Sequence, residues 1–151
     1  MSNHQQQIIE AARGKLPEQI LGATFGKPRG SNTAIAGGLV GGAIGGGWAA
    51  KQHKGAQAIG LQLGSPGAIA VTPTNLVTMT VGVSMGGQIK EVKEILSVVP
   101  LTHVDSVQVK RMGLAGVMVI SAGGHSFKLE GKVGDMREFA DAFDRAKATS
   151  R

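Results

Sequence analysis

Glycine recurs every four residues through one stretch of the chain: Gly37, Gly41 and Gly45 make one series, and Gly38, Gly42 and Gly46 a second. Four residues is about one helical turn, so on a helix these glycines form a flat face without side chains. Leu39, Val40, Ile44 and Trp48 occupy the remaining surface, Ser31 or Asn32 supplies an N-cap, and Lys51 and Lys54 suit the carbonyl-rich end. Each interior glycine costs such a helix roughly 1 kcal/mol against alanine. The seven glycines between Thr33 and Ala50 therefore cost roughly 7 kcal/mol together. No isolated helix in water withstands that. Close packing against another backbone, or a place where unpaired backbone is forbidden, must offset it. A flexible glycine-rich linker is the competing description; the strict repeat and the interleaved Leu, Val, Ile and Trp count against it.

The segment is only weakly hydrophobic, and basic residues flank both ends, so no charge bias orients a membrane span. Self-association through the zipper, or shallow or reversible membrane association, ranks ahead of a stable solitary span. The formal charge of +6 is unevenly placed. Residues 1–55 hold Arg13, Lys15, Lys27, Arg29, Lys51 and Lys54 against Glu10 and Glu18 alone. An anionic partner there would be lipid headgroups, nucleic acid or an acidic protein; a soluble protein with a basic surface is the plain alternative. With 151 residues there is room for one domain and an appendage. The absence of cysteine excludes disulfides and thiolate chemistry, and the polar start Met1–Gln7 lacks a signal-peptide pattern, so a cytoplasmic location is expected.

Around the zipper the periodicity changes. Asn3–Gly14 is expected to be helical, with Ile8, Ile9 and Ala12 as its apolar stripe, and Leu16-Pro17 ends it. Glu18–Phe25 suits a strand, with a second helix open as the alternative. Gly67–Val71 is a short apolar run. Val77, Met79, Val81, Val83 and Met85 then alternate with polar or small residues as a half-buried strand, and Gly86-Gly87 turns the chain. Ile89, Val92, Leu96 and Val99 show a spacing that also suits a helix, whereas the β-branched density near Val99 favours a strand. Val107 and Val109 alternate, Gly116–Ser121 reads as a central strand, Ala122-Gly123-Gly124 as a turn, and Phe127 and Leu129 alternate again. A last helix is expected from an Asp135/Glu138 capping box, with Met136, Phe139, Ala140, Phe143 and Ala146 on one face and Asp141 paired with Arg145 outside. The pattern implies an α+β fold: a strongly bent antiparallel sheet or open barrel, with the C-terminal helix plugging one mouth through Phe139 and Phe143. The domains divide as 1–30, the zipper 31–55, and a β domain 56–151.

The runs Ala70–Val77, Val99–Val107 and Gly124–Glu130, with the helix through Phe139 and Phe143, resemble bacterial pleckstrin-homology-like domains related to GRAM domains. The likeness covers roughly residues 57–148, with Glu18–Phe25 as a candidate first strand and the zipper as an insertion after it. It implies a binding module for lipids or proteins, without catalysis. Pro73 stands where that family usually has an acid and Asn75 where it has an arginine, so the ion pair of that turn is missing.

Chemical motifs are weak. Gly22–Pro28 departs from a phosphate loop in spacing and in its proline. Gly45–Ala50 fits a dinucleotide pattern, but no strand precedes it and no ribose-binding acid follows. His4, His53, His103 and His125 are isolated from other metal ligands, and no cofactor is implied. His103 with Asp105 is the one acid–base candidate, without an identifiable nucleophile. Aromatic residues make up 3% of the chain and tyrosine is absent, which argues against nucleic-acid stacking. The sequence therefore points to a non-catalytic homo-oligomeric scaffold or adaptor, packing through Gly37, Gly38, Gly41, Gly42, Gly45 and Gly46, within a larger protein complex. The alternatives are a peripheral membrane protein touching anionic lipid through Trp48, Lys27, Arg29, Lys51 and Lys54, and a small enzyme using His103 and Asp105.

Overall fold

The computed structural model describes residues 3–16, 18–28, 54–63, 67–84, 89–112 and 115–150. The architecture is α+β. Helix α1 (Asn3–Ala12) precedes β1 (Gly22–Phe25) and β2 (Lys27–Pro28); residues 54–59 are helical (α2). Then come β3 (Gly67–Val71), β4 (Asn75–Val83), β5 (Ile89–Pro100), a 3-10 turn at Leu101–His103, β6 (Ser106–Met112), β7 (Ala115–Ala122), β8 (His125–Gly131) and helix α3 (Val133–Ser150). The strands form two four-stranded antiparallel sheets, ordered β1-β3-β4-β5 and β2-β8-β7-β6. The expected single bent sheet is thus two sheets, not closed into a barrel. They meet through the first strand, where Gly26 alone separates β1 from β2. Its N–H donates to the Gly67 carbonyl at 3.3 Å, and a Cβ there would already touch Leu129 at 3.4 Å. A bend at this point lets one strand serve both sheets.

Between the sheets lies the main core. Ile69, Val71, Leu76 and Val99 face Val107, Met118, Ile120, Phe127 and Leu129, and Met136, Phe139 and Phe143 of α3 enter between them. Phe139 and Phe143 are fully buried, as their spacing implied. Close approach fixes α3. An added Cβ on Gly22 would meet the Ala142 Cβ at 2.8 Å, and one on Gly116 would meet the Val133 Cα at 2.7 Å. The helix begins at Val133, ahead of the expected cap: Asp135 is buried within the first turn, and its backbone carbonyl accepts the Gln5 amide of α1 at 2.9 Å.

A second core lies on the outer face of the first sheet. Ile8 and Ala12 of α1 cover Ala23, Ala68, Ala70, Val77, Met79, Val81, Ile89 and Val92. Val77, Met79 and Val81 of β4 face α1, but the strand is not half-buried as expected: Leu76 enters the main core and Thr78 is buried, and Val83 ends the strand before Met85. In β5 the helical spacing has a different origin. The β4 pairing skips Lys90, Lys93 and Leu96, giving three bulges, so every third residue — Ile89, Val92, Ile95 — returns to the α1 side. Gly123 and Gly124, with φ of 58° and 83°, form the two-residue turn between β7 and β8.

The β3–β4 corner is held by a carboxylate from elsewhere in the chain. Glu18 lies ahead of β1, outside the strand expected to begin there. One oxygen of Glu18 accepts hydrogen bonds from Thr74 Oγ1 at 2.5 Å, Thr72 Oγ1 at 2.9 Å and Asn75 Nδ2 at 3.1 Å. The Thr74 hydroxyl above all holds the Glu18 carboxyl below its ordinary value of 4.5; burial opposes it, and Thr72 and Asn75 add to the lowering. A depressed carboxyl contributes stability at neutral pH that is lost as the pH falls through its folded value. Glu18→Gln is therefore expected to lower stability by about 1 kcal/mol at pH 7, with the difference closing as the pH falls from 4.5 through the lowered folded value; urea melts from neutral to acid pH check this. Phe139→Ala is expected to cost about 3–5 kcal/mol in the same melts.

Candidate functional site: the stems of the inserted segment

The zipper residues Gly37, Gly38, Gly41, Gly42, Gly45 and Gly46, and Trp48, Arg29 and Lys51, lie outside the described residues. The structure does place the two points where their segment leaves and rejoins the fold, and both are on β8. Lys27 and Pro28 pair with Glu130 and Leu129 at the leaving stem. At the returning stem Lys54 is exposed and Gly55 rests on the backbone of β8. An added Cβ at Gly55 would lie 2.2 Å from the Ser126 carbonyl oxygen and 3.2 Å from the Phe127 Cβ. Only glycine fits there. The helical run 54–59 continues across the expected domain boundary at 55/56.

Beyond Gly55 the stem is bound into the core. Ala56 and Leu61 are fully buried between the sheets, with Ile59 and Leu63 packed against them. Gly60, at φ 104°, ends the helix and lies beside Val99. The Gln62 N–H donates to Ser97 Oγ at 3.1 Å, and Ser97 Oγ in turn hydrogen-bonds Thr78 Oγ1. The returning stem thus runs from β8 to β5 and is held by apolar burial at one end and a hydroxyl pair at the other. Between the stem contacts, Lys128 is exposed on the solvent face of β8. Sequence reasoning missed Gly55 because its constraint comes from a carbonyl more than seventy residues away; the one local trace was a glycine directly after the basic flank.

His103 and Asp105 do not lie on one strand. His103 ends the 3-10 turn and is exposed, and Asp105 lies in the link to β6, so they do not share a strand face. Asp105 Oδ2 accepts the Gly123 N–H at 3.0 Å, which ties the start of β6 to the β7–β8 turn. Lys147, near the end of α3, donates to the Val104 and Asp105 carbonyls and lies 5.9 Å from the Phe143 ring centre. These groups fasten a corner of the fold. Among the described residues no group of three or more His, Asp or Glu side chains could hold a metal, and no helix is long and apolar enough to cross a membrane. Surface grooves of about 430 Å³ and 270 Å³ lie along α1, the first against Ile89 and Lys90 and the second against Leu21, Glu138, Asp141 and Arg145. No protein-family model matches the chain, and no curated protein matches it.

Gly55→Ala is expected to lower stability by about 1–3 kcal/mol, because the stem must move off Ser126. Hydrogen exchange of residues 54–63 should rise while that of β4 is unchanged.

Proposed function

We propose that the chain is a non-catalytic homo-oligomeric scaffold or adaptor: a pleckstrin-homology-like domain that self-associates through a glycine-zipper helix within residues 31–55. The observation that carries the reading is the placement of both stems on β8. A segment whose glycine face requires a packing partner enters beside Leu129 and returns beside Ser126. The returning stem is rooted in the core by Ala56 and Leu61. Such rooting would carry self-association through the segment to the whole domain. The shared first strand, the two sheets and the helix bearing Phe139 and Phe143 support the pleckstrin-homology-like part of the reading.

A second reading, peripheral attachment to an anionic membrane, is favoured by basic residues at both stems: Lys27 on β2 and the exposed Lys54 beside Gly55. Trp48, Arg29 and Lys51 would join them at the lipid surface.

Light scattering after gel filtration, on the full chain and on a variant lacking residues 31–54, separates the two. The scaffold reading expects a discrete oligomer whose order drops on deletion. A full chain whose mass is unchanged by the deletion overturns it. Aggregates dispersed by detergent, together with pelleting on anionic vesicles that fails at high salt, assign the segment to lipid instead.

A further inference from the structure

Strand β5 is an edge of the first sheet. It pairs with β4 on one side, and among the described residues no strand pairs with the other. Lysines and bulges on such an edge ordinarily repel a further strand. Here the order of the charges runs the other way. The sequence Ile89-Lys90-Glu91-Val92-Lys93-Glu94-Ile95 is self-complementary about Val92. In an antiparallel pair of two such strands with the two-fold axis at Val92, Lys90 opposes Glu94 of the second copy, Glu91 opposes Lys93, and Ile89 opposes Ile95. That register sets all four charges against opposite charges. Moving the axis half a residue toward Glu91 sets Lys90 against Lys93.

The structure presents the charged residues between Ile89 and Ile95 for that pairing, while the Ile89 N–H is taken by Gln7 Oε1 of α1 at 2.9 Å. Lys90, Glu91, Lys93 and Glu94 are all exposed. The bulges turn Ile89, Val92 and Ile95 together toward α1, while Glu91 and Glu94 pair with Gly82 and Thr80 on the opposite side. Opposed residues in an antiparallel pair share a face, and Glu91 and Lys93 meet that condition. The side chains of Glu91 and Lys93 lie over the bare Gly82, within 3.0 and 3.3 Å of where its Cβ would be, and so project from one surface.

We infer that β5 is a self-recognition edge, which joins a second copy of this chain as an antiparallel strand centred on Val92. This edge is separate from the zipper. An oligomer formed by the zipper alone keeps its mass when the β5 charges are changed, whereas the edge pair is lost.

The test uses two full-length variants, Lys90→Glu/Lys93→Glu and Glu91→Lys/Glu94→Lys, followed by sedimentation at low salt. Opposite-charge pairs become like-charge pairs at each position, so each variant alone should associate at least about tenfold more weakly than the native chain. An equimolar mixture of the two should recover native association. Equal masses for the native chain and both single variants, or a mixture no heavier than its components, overturn the inference. Zero-length carboxyl–amine cross-linking of mixed ¹⁴N- and ¹⁵N-labelled native chain tests it without any substitution. Mixed-isotope links joining Lys93 to Glu91 and Lys90 to Glu94 are expected, and links confined to single-isotope peptides there overturn it.

Discussion

One strand belongs to two sheets, and the rest of the fold depends on it. β1 and β2 are a single run from Gly22 to Pro28, bent at Gly26, pairing first with β3 and then with β8. Without that bend the two sheets would share no hydrogen-bonded element, and the space that Phe127, Phe139 and Phe143 fill would have no fixed width. Gly26 sits beside Leu129, where an added Cβ would make ordinary contact at 3.4 Å. The bend also decides where the inserted segment goes, since the strand hands the chain out beside β8.

Much of this framework was legible from residue order. The β7–β8 turn, the alternation of Val77, Met79 and Val81 in β4, the apolar stripe of α1 and the paired phenylalanines of α3 all follow from local chemistry. Where reading by period misled, tertiary context had intervened. In β5 the bulges impose a repeat of three on a strand, and a repeat near three to four is the mark of a helix. In α3 the acid expected to cap the helix is buried inside its first turn, and α1 reaches its backbone carbonyl through Gln5. The turn at Thr72–Asn75 has no acid of its own, yet Glu18 supplies one from more than fifty residues away.

The candidate site divides in the same way. The zipper repeat is visible in sequence because it is a local periodicity. Its anchorage is not, because Gly55 is constrained by the carbonyl of Ser126 and Gly60 by the side chain of Val99. His103 and Asp105 show the converse. Adjacency in sequence put both on one strand face on paper, whereas the hydrogen bond from Gly123 gives Asp105 a fastening role.

The position of α1 bears on how the chain acquires its structure. Its buried Ile8 closes a surface built largely by β3, β4 and β5, and Gln7 accepts a hydrogen bond from the N–H of Ile89 at 2.9 Å. The helix leaves the ribosome long before those strands exist. It must wait through synthesis of the glycine-rich segment with its apolar stripe unburied. Contacts of such wide sequence separation form slowly, since a long loop has to close before they stabilise anything. The exposed stripe and the self-complementary β5 edge therefore coexist for a time in the nascent chain, and the order in which they find their partners separates correct folding from premature association.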